Sequence, residues 1–375
     1  MKSAAARYGF INAKLRARIG LMLEDHVVND MIRSGSLVEA VQVLRDTQYA
    51  PVAEAYDKTG DLQQMELVLL QGEIAMYEEV TKYLEGSPAG FVRILLEKIE
   101  IDNLKNAIRL WYSNIIRHHS ISYRSAYIFQ DVIAHPIDWL GILNAVQWDE
   151  VILSVKNTPY YPVLAEYKFD DIVSDGLFEM EMSLDRHWFS RLGDEAKRLS
   201  KKDRDTVEAV YGVDIDLKNV LMLVRFGWYH KLSSDRLRKL LIPGGTIAKS
   251  KELAAFLAMD TAERNPSLLL RRRYADLARE TDEIANQQRP LSDSTDSKVI
   301  DRKNEIIAAQ TLRIEQYLER IRKKEFLEIL SGYPFTIGVV LAYFFIYKHE
   351  DQMIRAVLSG KYYGWSEDRI REVMV

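Results

Sequence analysis

A chain of 375 residues, 47% of them hydrophobic, is long enough for two or three domains and apolar enough to bury real cores. Its charges are interspersed and sum to −4, which excludes wholesale disorder and a nucleic-acid footprint. The absence of cysteine excludes disulfides, thiol nucleophiles and thiolate-held metals and fits a reducing compartment.

The first twenty residues, MKSAAARYGFINAKLRARIG, lack the continuous apolar core that a signal peptide needs. From Leu15, apolar residues recur at Ile19, Met22 and Leu23, one stripe of an amphipathic helix over 15–23. Val41 to Val52 then reads VQVLRDTQYAPV, and this segment returns as ILSVKNTPYYPV at Ile152 to Val163. Thr47, Tyr49, Pro51 and Val52 pair with Thr158, Tyr160, Pro162 and Val163 at one offset (158 − 47 = 111). Upstream, Leu37, Glu39 and Arg45 pair with Trp148, Glu150 and Lys156. Asp or Asn, then Thr, then Pro closes one helix and opens the next, because Pro cannot continue a helix.

Glu85-Gly-Ser-Pro-Ala-Gly90 punctuates the chain before a helical run from Phe91 to Ile116. Leu104-Lys105-Asn106 matches Leu217-Lys218-Asn219 at nearly the same offset (217 − 104 = 113), and Leu217 to Leu232 is again helical. Leu232 to Arg238 and Trp365 to Arg371 share Ser, Asp and two Arg in register, with Ser233 and Ser366 as helix N-caps. Asp260-Thr261 is read as the third copy of Asp46-Thr47 and Asn157-Thr158. The polar stretch Asn286 to Asp296 lies in the extra length of this third copy and reads as an insertion. Ile306 to Leu330 is helical, and Phe335 to Tyr347 is a 13-residue apolar run, short of the roughly 20 residues that span a bilayer. It is expected to be a buried helix of the third copy, with Pro334 as its start signal and Gly338 admitting a close neighbour.

No hairpin signal appears, so the expected fold is all-α. A period near 111 residues exceeds the roughly 20–50 of solenoid repeats and matches a small domain. The expected organisation is three similar helical modules, 1–120, 121–233 and 234–375, in a pseudo-threefold arrangement, the last with a polar insertion around 283–303.

Chemistry-bearing motifs are missing. His118-His119 is adjacent rather than spaced i, i+4, and His349-Glu350-Asp351 lacks a second His, so both read as solvated helix surface. Pro243-Gly244-Gly245-Thr246 has neither a preceding strand nor a following Gly-Lys-Ser/Thr and reads as an interhelical turn. Arg271-Arg272-Arg273 reads as a solvated face that could meet an acidic partner, and Glu181/Asp185 as ordinary helical neighbours. No catalytic, cofactor-binding or metal-ligating residue is predicted.

The C-terminal segment Gly332 to Glu350 contains Pro-Phe-Thr-Ile-Gly-x-Val-Leu-Ala-Tyr. With Gln352-Met-Ile-Arg355 and Trp365 to Arg371, it resembles the C subunit of the V/A-type rotary ATPases, known in eukaryotes as the d subunit. Leu37 to Val41, Leu44 to Tyr49, Ile99 to Asn106, Asp214 to Asn219 and Leu241 to Gly245 fit the same family, and only Asn286 to Asp296 departs from it. The resemblance implies an all-helical, funnel-shaped body of three domains without a catalytic role or cofactor. It implies a peripheral protein at the cytoplasmic face of the membrane that links the central shaft, made of the D and F subunits, to the ring of proteolipid c/K subunits. The a/I subunit of the stator is a further implied neighbour, and H⁺ or Na⁺ the transported ion. Competing readings are a helical-repeat scaffold unrelated to ATPases and a nucleotide-binding enzyme.

Overall fold

A computed structural model describes residues 3–119, 127–229, 232–260, 264–287 and 297–374. The fold is all-α, with no strand among the described residues. The first third contains α1 (Ala4–Ile19), α2 (Asp25–Arg33), α3 (Leu37–Val43), α4 (Ala50–Thr59), α5 (Leu62–Lys82) and α6 (Ser87–Ile115). It continues with α7 (Trp139–Asn144), α8 (Trp148–Ser154), α9 (Tyr161–Leu164), α10 (Phe169–Asp175), α11 (Phe178–Ala196) and α12 (Lys201–Met222). The rest holds α13 (Ser234–Leu240), α14 (Lys251–Ala258), α15 (Ser267–Leu270), α16 (Ala275–Gln287), α17 (Ser297–Ser331), α18 (Gly338–Tyr362) and α19 (Glu367–Val373). Of the insertion expected around 283–303, residues 288–296 lie outside the described part, as does Thr261.

Local chemistry sets the boundaries. The hydroxyls of Ser233 and Ser366 accept from the amides of Arg236 (3.4 Å) and Arg369 (3.3 Å), so both expected N-caps form. Pro51 and Pro162 sit in the first turns of α4 and α9, where a missing N–H costs nothing. The stripe expected over 15–23 ends early: α1 stops at Ile19, Gly20 caps it, and Met22 and Leu23 lie beyond the helix. The run from Leu217 leaves α-helical winding at Leu223 for a π-helical stretch that reaches Tyr229. The apolar run 335–347 is buried over most of its length, but its helix begins only at Gly338, whose amide donates to Thr336 Oγ1 at 3.2 Å. Further along the same helix Gly360 lies close to a neighbour: a Cβ there would sit 2.5 Å from Ile370 of α19.

Two compact units result, residues 1–184 with 329–375, and residues 185–328. In the first, α18 packs on α1, α2, α3 and α5. Ile354, Val357 and Leu358 of α18 join Met31, Leu44 and Met65 in one fully buried cluster. Each such side chain contributes about 1.5–3 kcal/mol by leaving water. Helix α6 buries most of its residues, from Phe91 and Val92 to Leu104 and Trp111, and leaves Asp102, Asn106 and Arg109 as an exposed stripe along one face of its second half. In the second unit α15 packs on α16, and Arg322 of α17 reaches Asp214 of α12 at 2.7 Å.

Candidate functional site

Three buried carboxylates, each on a long helix, organise the turns. Glu100 of α6 is fully buried. Its Oε1 accepts from Tyr160 Oη (2.8 Å) and faces His135 Nδ1 (2.7 Å), while Oε2 accepts from the amides of Ala134 and His135, both at 2.7 Å. Asp216 of α12, also fully buried, accepts the amides of Thr246 (2.6 Å) and Ile247 (2.8 Å) on Oδ1. Its Oδ2 takes the Thr246 hydroxyl (2.7 Å), Tyr274 Oη (2.9 Å) and Arg273 Nη1 (3.3 Å). Glu350 of α18, 3% exposed, accepts the Leu23 amide on Oε1, and Gln48 Nε2 (3.0 Å) and Tyr49 Oη (2.7 Å) on Oε2. Each clamp thus joins a tyrosine hydroxyl and loop amides to one helix.

The clamps are matched by their surroundings. Thr47 Oγ1 donates to Leu44 O (2.7 Å) and accepts from Tyr49 N (3.1 Å); Thr158 does the same to Val155 (2.8 Å) and Tyr160 (3.2 Å). One turn after Glu100 and Asp216, Asn103 and Asn219 each exchange two hydrogen bonds with a backbone, that of Phe129 (2.8 and 3.2 Å) or Ile242 (3.0 and 2.8 Å). The true register is therefore 116 (219 − 103 and 216 − 100), one helical turn away from the Leu-Lys-Asn match. Asn106 plays no such part and accepts instead from Arg109. At the Asp216 clamp Tyr274 supplies the phenol that Tyr49 and Tyr160 supply at the other two, downstream of the expected Asp260-Thr261.

The glycine turn is an anion cradle whose anion is built in. Gly244 and Gly245 adopt φ of 108° and 63°, and a Cβ on Gly245 would lie 2.2 Å from Asp216 Oδ1. Only glycine lets this backbone close on the carboxylate. Arg273, at the end of the basic run, is drawn to Asp216, while Arg271 faces Asp282 at 3.9 Å. His349-Glu350-Asp351 is not solvated surface: Glu350 and Asp351 are each 3% exposed, because α18 is enclosed on the side where both sit, and His349 stacks on Phe345. Glu181 forms a two-bond pair with Arg109, both at 2.6 Å.

Burial and the adjacent carboxylate push the phenols of Tyr49 and Tyr274 far above the ordinary tyrosine value. Burial also holds Glu350 above the usual carboxylate range, against the opposing pull of its three donors. With every oxygen engaged by a donor, the clamps fasten chain to chain.

The first unit also contains a cavity of about 720 Å³ between α5, α6 and α18. Glu66 and Glu73 line it from α5, Asp102 and Arg109 from α6, and Lys348, Asp351 and Arg355 from α18. Arg355 Nε bonds Asp351 Oδ2 at 2.6 Å. Burial raises the carboxyls of both Glu66 and Glu73.

Fold and site together define an all-helical protein whose turns are clamped to long helices by buried carboxylates, and in which no described helix is long and apolar enough to cross a membrane. The chain belongs to the ATP synthase (C/AC39) subunit family, whose pattern it matches over residues 11–373. It is similar to the C subunit of the A-type ATP synthase of Methanocaldococcus jannaschii, 21% identical over 373 residues, 99% of this chain and 86% of that protein. The corresponding protein of Thermococcus onnurineus is 23% identical over 368 residues, 98% of this chain and 90% of the relative. That of a Desulfurococcus strain is 24% identical over 370 residues, with the same coverage.

Proposed function

We propose that this chain is the non-catalytic central-stalk adapter of a V/A-type rotary ATPase. It joins the shaft, made of the D and F subunits, to the membrane ring of proteolipid c/K subunits and passes torque during ATP-coupled H⁺ or Na⁺ transport. It docks peripherally on the cytoplasmic face, near the a/I subunit of the stator, and its three modules (1–120, 121–233 and 234–375) form a pseudo-threefold funnel. The observation that carries this reading is the family match over residues 11–373. Family membership also sets aside a scaffold unrelated to ATPases. The repeated clamps support a mechanical part: a carboxylate bonded by several donors in low dielectric resists displacement, which suits a body that transmits force.

The test is reconstitution of the complex with and without this chain. Without it, ATP hydrolysis by the soluble head should persist while ion transport into vesicles stops, and adding the chain back should restore transport. Loss of hydrolysis in a head assembly lacking only this chain would overturn the adapter role.

A further inference from the structure

In the second unit Arg264 is 5% exposed, yet every group that bonds it is neutral. Its Nη1 donates to the carbonyls of Gly227 (3.1 Å) and Leu232 (3.3 Å), and its Nη2 to Ser234 Oγ (2.9 Å) and Leu257 O (3.4 Å). Among the described residues no carboxylate pairs with this guanidinium. A buried charge is costly unless something compensates it, and here two helix ends do so. Gly227 stands in the last turn of the helical run that starts at Lys201, and Leu257 in the last turn of α14. Each such end carries roughly half a negative elementary charge, so two of them balance about one cation. The first of these ends is wound as a π-helix from Leu223 to Tyr229. That form is rare, mostly confined to single turns, and often found where a helix has work to do. Just beyond it, the amide of Leu232 reaches back to Phe226 O at 2.9 Å.

We propose that residues 223–229 form a register switch latched by Arg264: π-wound while the guanidinium is in place, and rewound as α-helix when it withdraws. The two windings bond different carbonyls, the π form spanning one residue more per hydrogen bond. Rewinding therefore turns everything beyond the stretch by about one residue position, roughly 100° of the α-helical wheel. Arg264 selects the π form because it ties the Gly227 and Leu232 carbonyls to the start of α13 and the end of α14 in one arrangement. Packing couples the same parts: a Cβ on Gly227 would lie 3.1 Å from Leu237 of α13 and 3.6 Å from Phe256 of α14. Upstream, Asp216 and Asn219 fasten the same helix to Thr246, Ile247 and Ile242. The movement is thus confined to residues beyond Asn219, and α13 and α14 can shift without release of the Asp216 clamp.

The experiment is a crystal structure and residue-resolved hydrogen exchange of the full chain carrying Arg264→Ala, with and without methylguanidinium. Residues 223–229 should be α-helical in the variant. The Leu232 amide, whose long reach to Phe226 belongs to the wide winding, should exchange about 10-fold faster or more, while the clamped Thr246 and Ile247 amides keep their rates. Millimolar methylguanidinium should restore slow exchange saturably, and uncharged methylurea should not. Should Arg264→Ala not fold, Ser234→Ala removes one neutral acceptor and should speed exchange at Leu232 by a smaller factor. Retained π winding in Arg264→Ala, equal rescue by methylurea, or an unchanged Leu232 rate in Ser234→Ala would overturn the latch.

Discussion

The clamps at Glu100 and Asp216 are doubled, whereas the one at Glu350 is single. Asn103 and Asn219 pin a second backbone segment one turn after the carboxylate, but one turn after Glu350 stands Met353, packed on the apolar cluster. A cation or imidazole also faces the first two carboxylates, Arg273 at Asp216 and His135 at Glu100. The donors to Glu350 are an amide N–H, a Gln side chain and a tyrosine hydroxyl, all uncharged. Chain separation differs too: the carboxylate and tyrosine lie 60 and 58 residues apart in the doubled clamps and 301 apart in the single one. For a flexible chain, that fivefold longer loop costs about 1.4 kcal/mol more to close. The longest connection thus has the fewest polar bonds, and in the same helix Ile354, Val357 and Leu358 are buried in the apolar cluster.

The largest test of this contrast is removal of the carboxylates. Asp216→Ala strands two amides, two hydroxyls and Arg273, and should cost about 3–5 kcal/mol in denaturant unfolding, with hydrogen exchange opening at Thr246 and Ile247. Glu350→Ala should cost less, about 1–3 kcal/mol, because exposed Gln48 and half-exposed Leu23 can turn to water. Equal losses would break the distinction between doubled and single clamps.

Capping should make no such distinction. Ser233→Ala and Ser366→Ala remove equivalent bonds in the two units and should each cost about 1 kcal/mol. A loss at either site several times the other would show that one cap is coupled to its clamp.

The smallest expected effect is on pH dependence. Burial raises the folded-state value of Glu350, so the folded chain holds that proton more tightly than the unfolded one. The associated stability is complete below the ordinary glutamate value of about 4.3 and is lost as pH rises through the raised value. Glu350→Gln should flatten that decline in melting temperature, whatever its effect on stability at one pH. A steeper decline in the variant would mean that the donors, not burial, govern this group.

Much of the architecture is legible locally. Thr47 and Tyr49, with Thr158 and Tyr160, recur in sequence because the turn they build needs a hydroxyl at one position and a buried phenol two residues on. The carboxylates are harder to read. Glu100 and Asp216 stand in acidic helical stretches where nothing marks one residue as buried, though Glu/Asp followed by Asn three positions later, about 60 residues before a Tyr, is a usable signal. Tyr274 is hidden because Arg272 stands two residues before it, where Thr47 and Thr158 stand before Tyr49 and Tyr160. Glu350 reads as surface because its partners lie at the opposite end of the chain. Arg264 carries no sequence signal, since the carbonyls gathered on it are visible only in three dimensions.

The pairing of α18 with the first helices has a consequence for biosynthesis. Residues 185–328 are contiguous, so their unit can complete its contacts while the ribosome is still translating. The other unit is split around them, and Tyr49 and Leu23 wait for Glu350 until some three hundred further residues have emerged. During that interval Val41, Leu44 and Met65 lack the α18 side chains that cover them in the finished protein, leaving a sticky nascent surface. A chaperone that shields the early segment, or a slow codon stretch before 338, would change yield without altering one residue of the folded product.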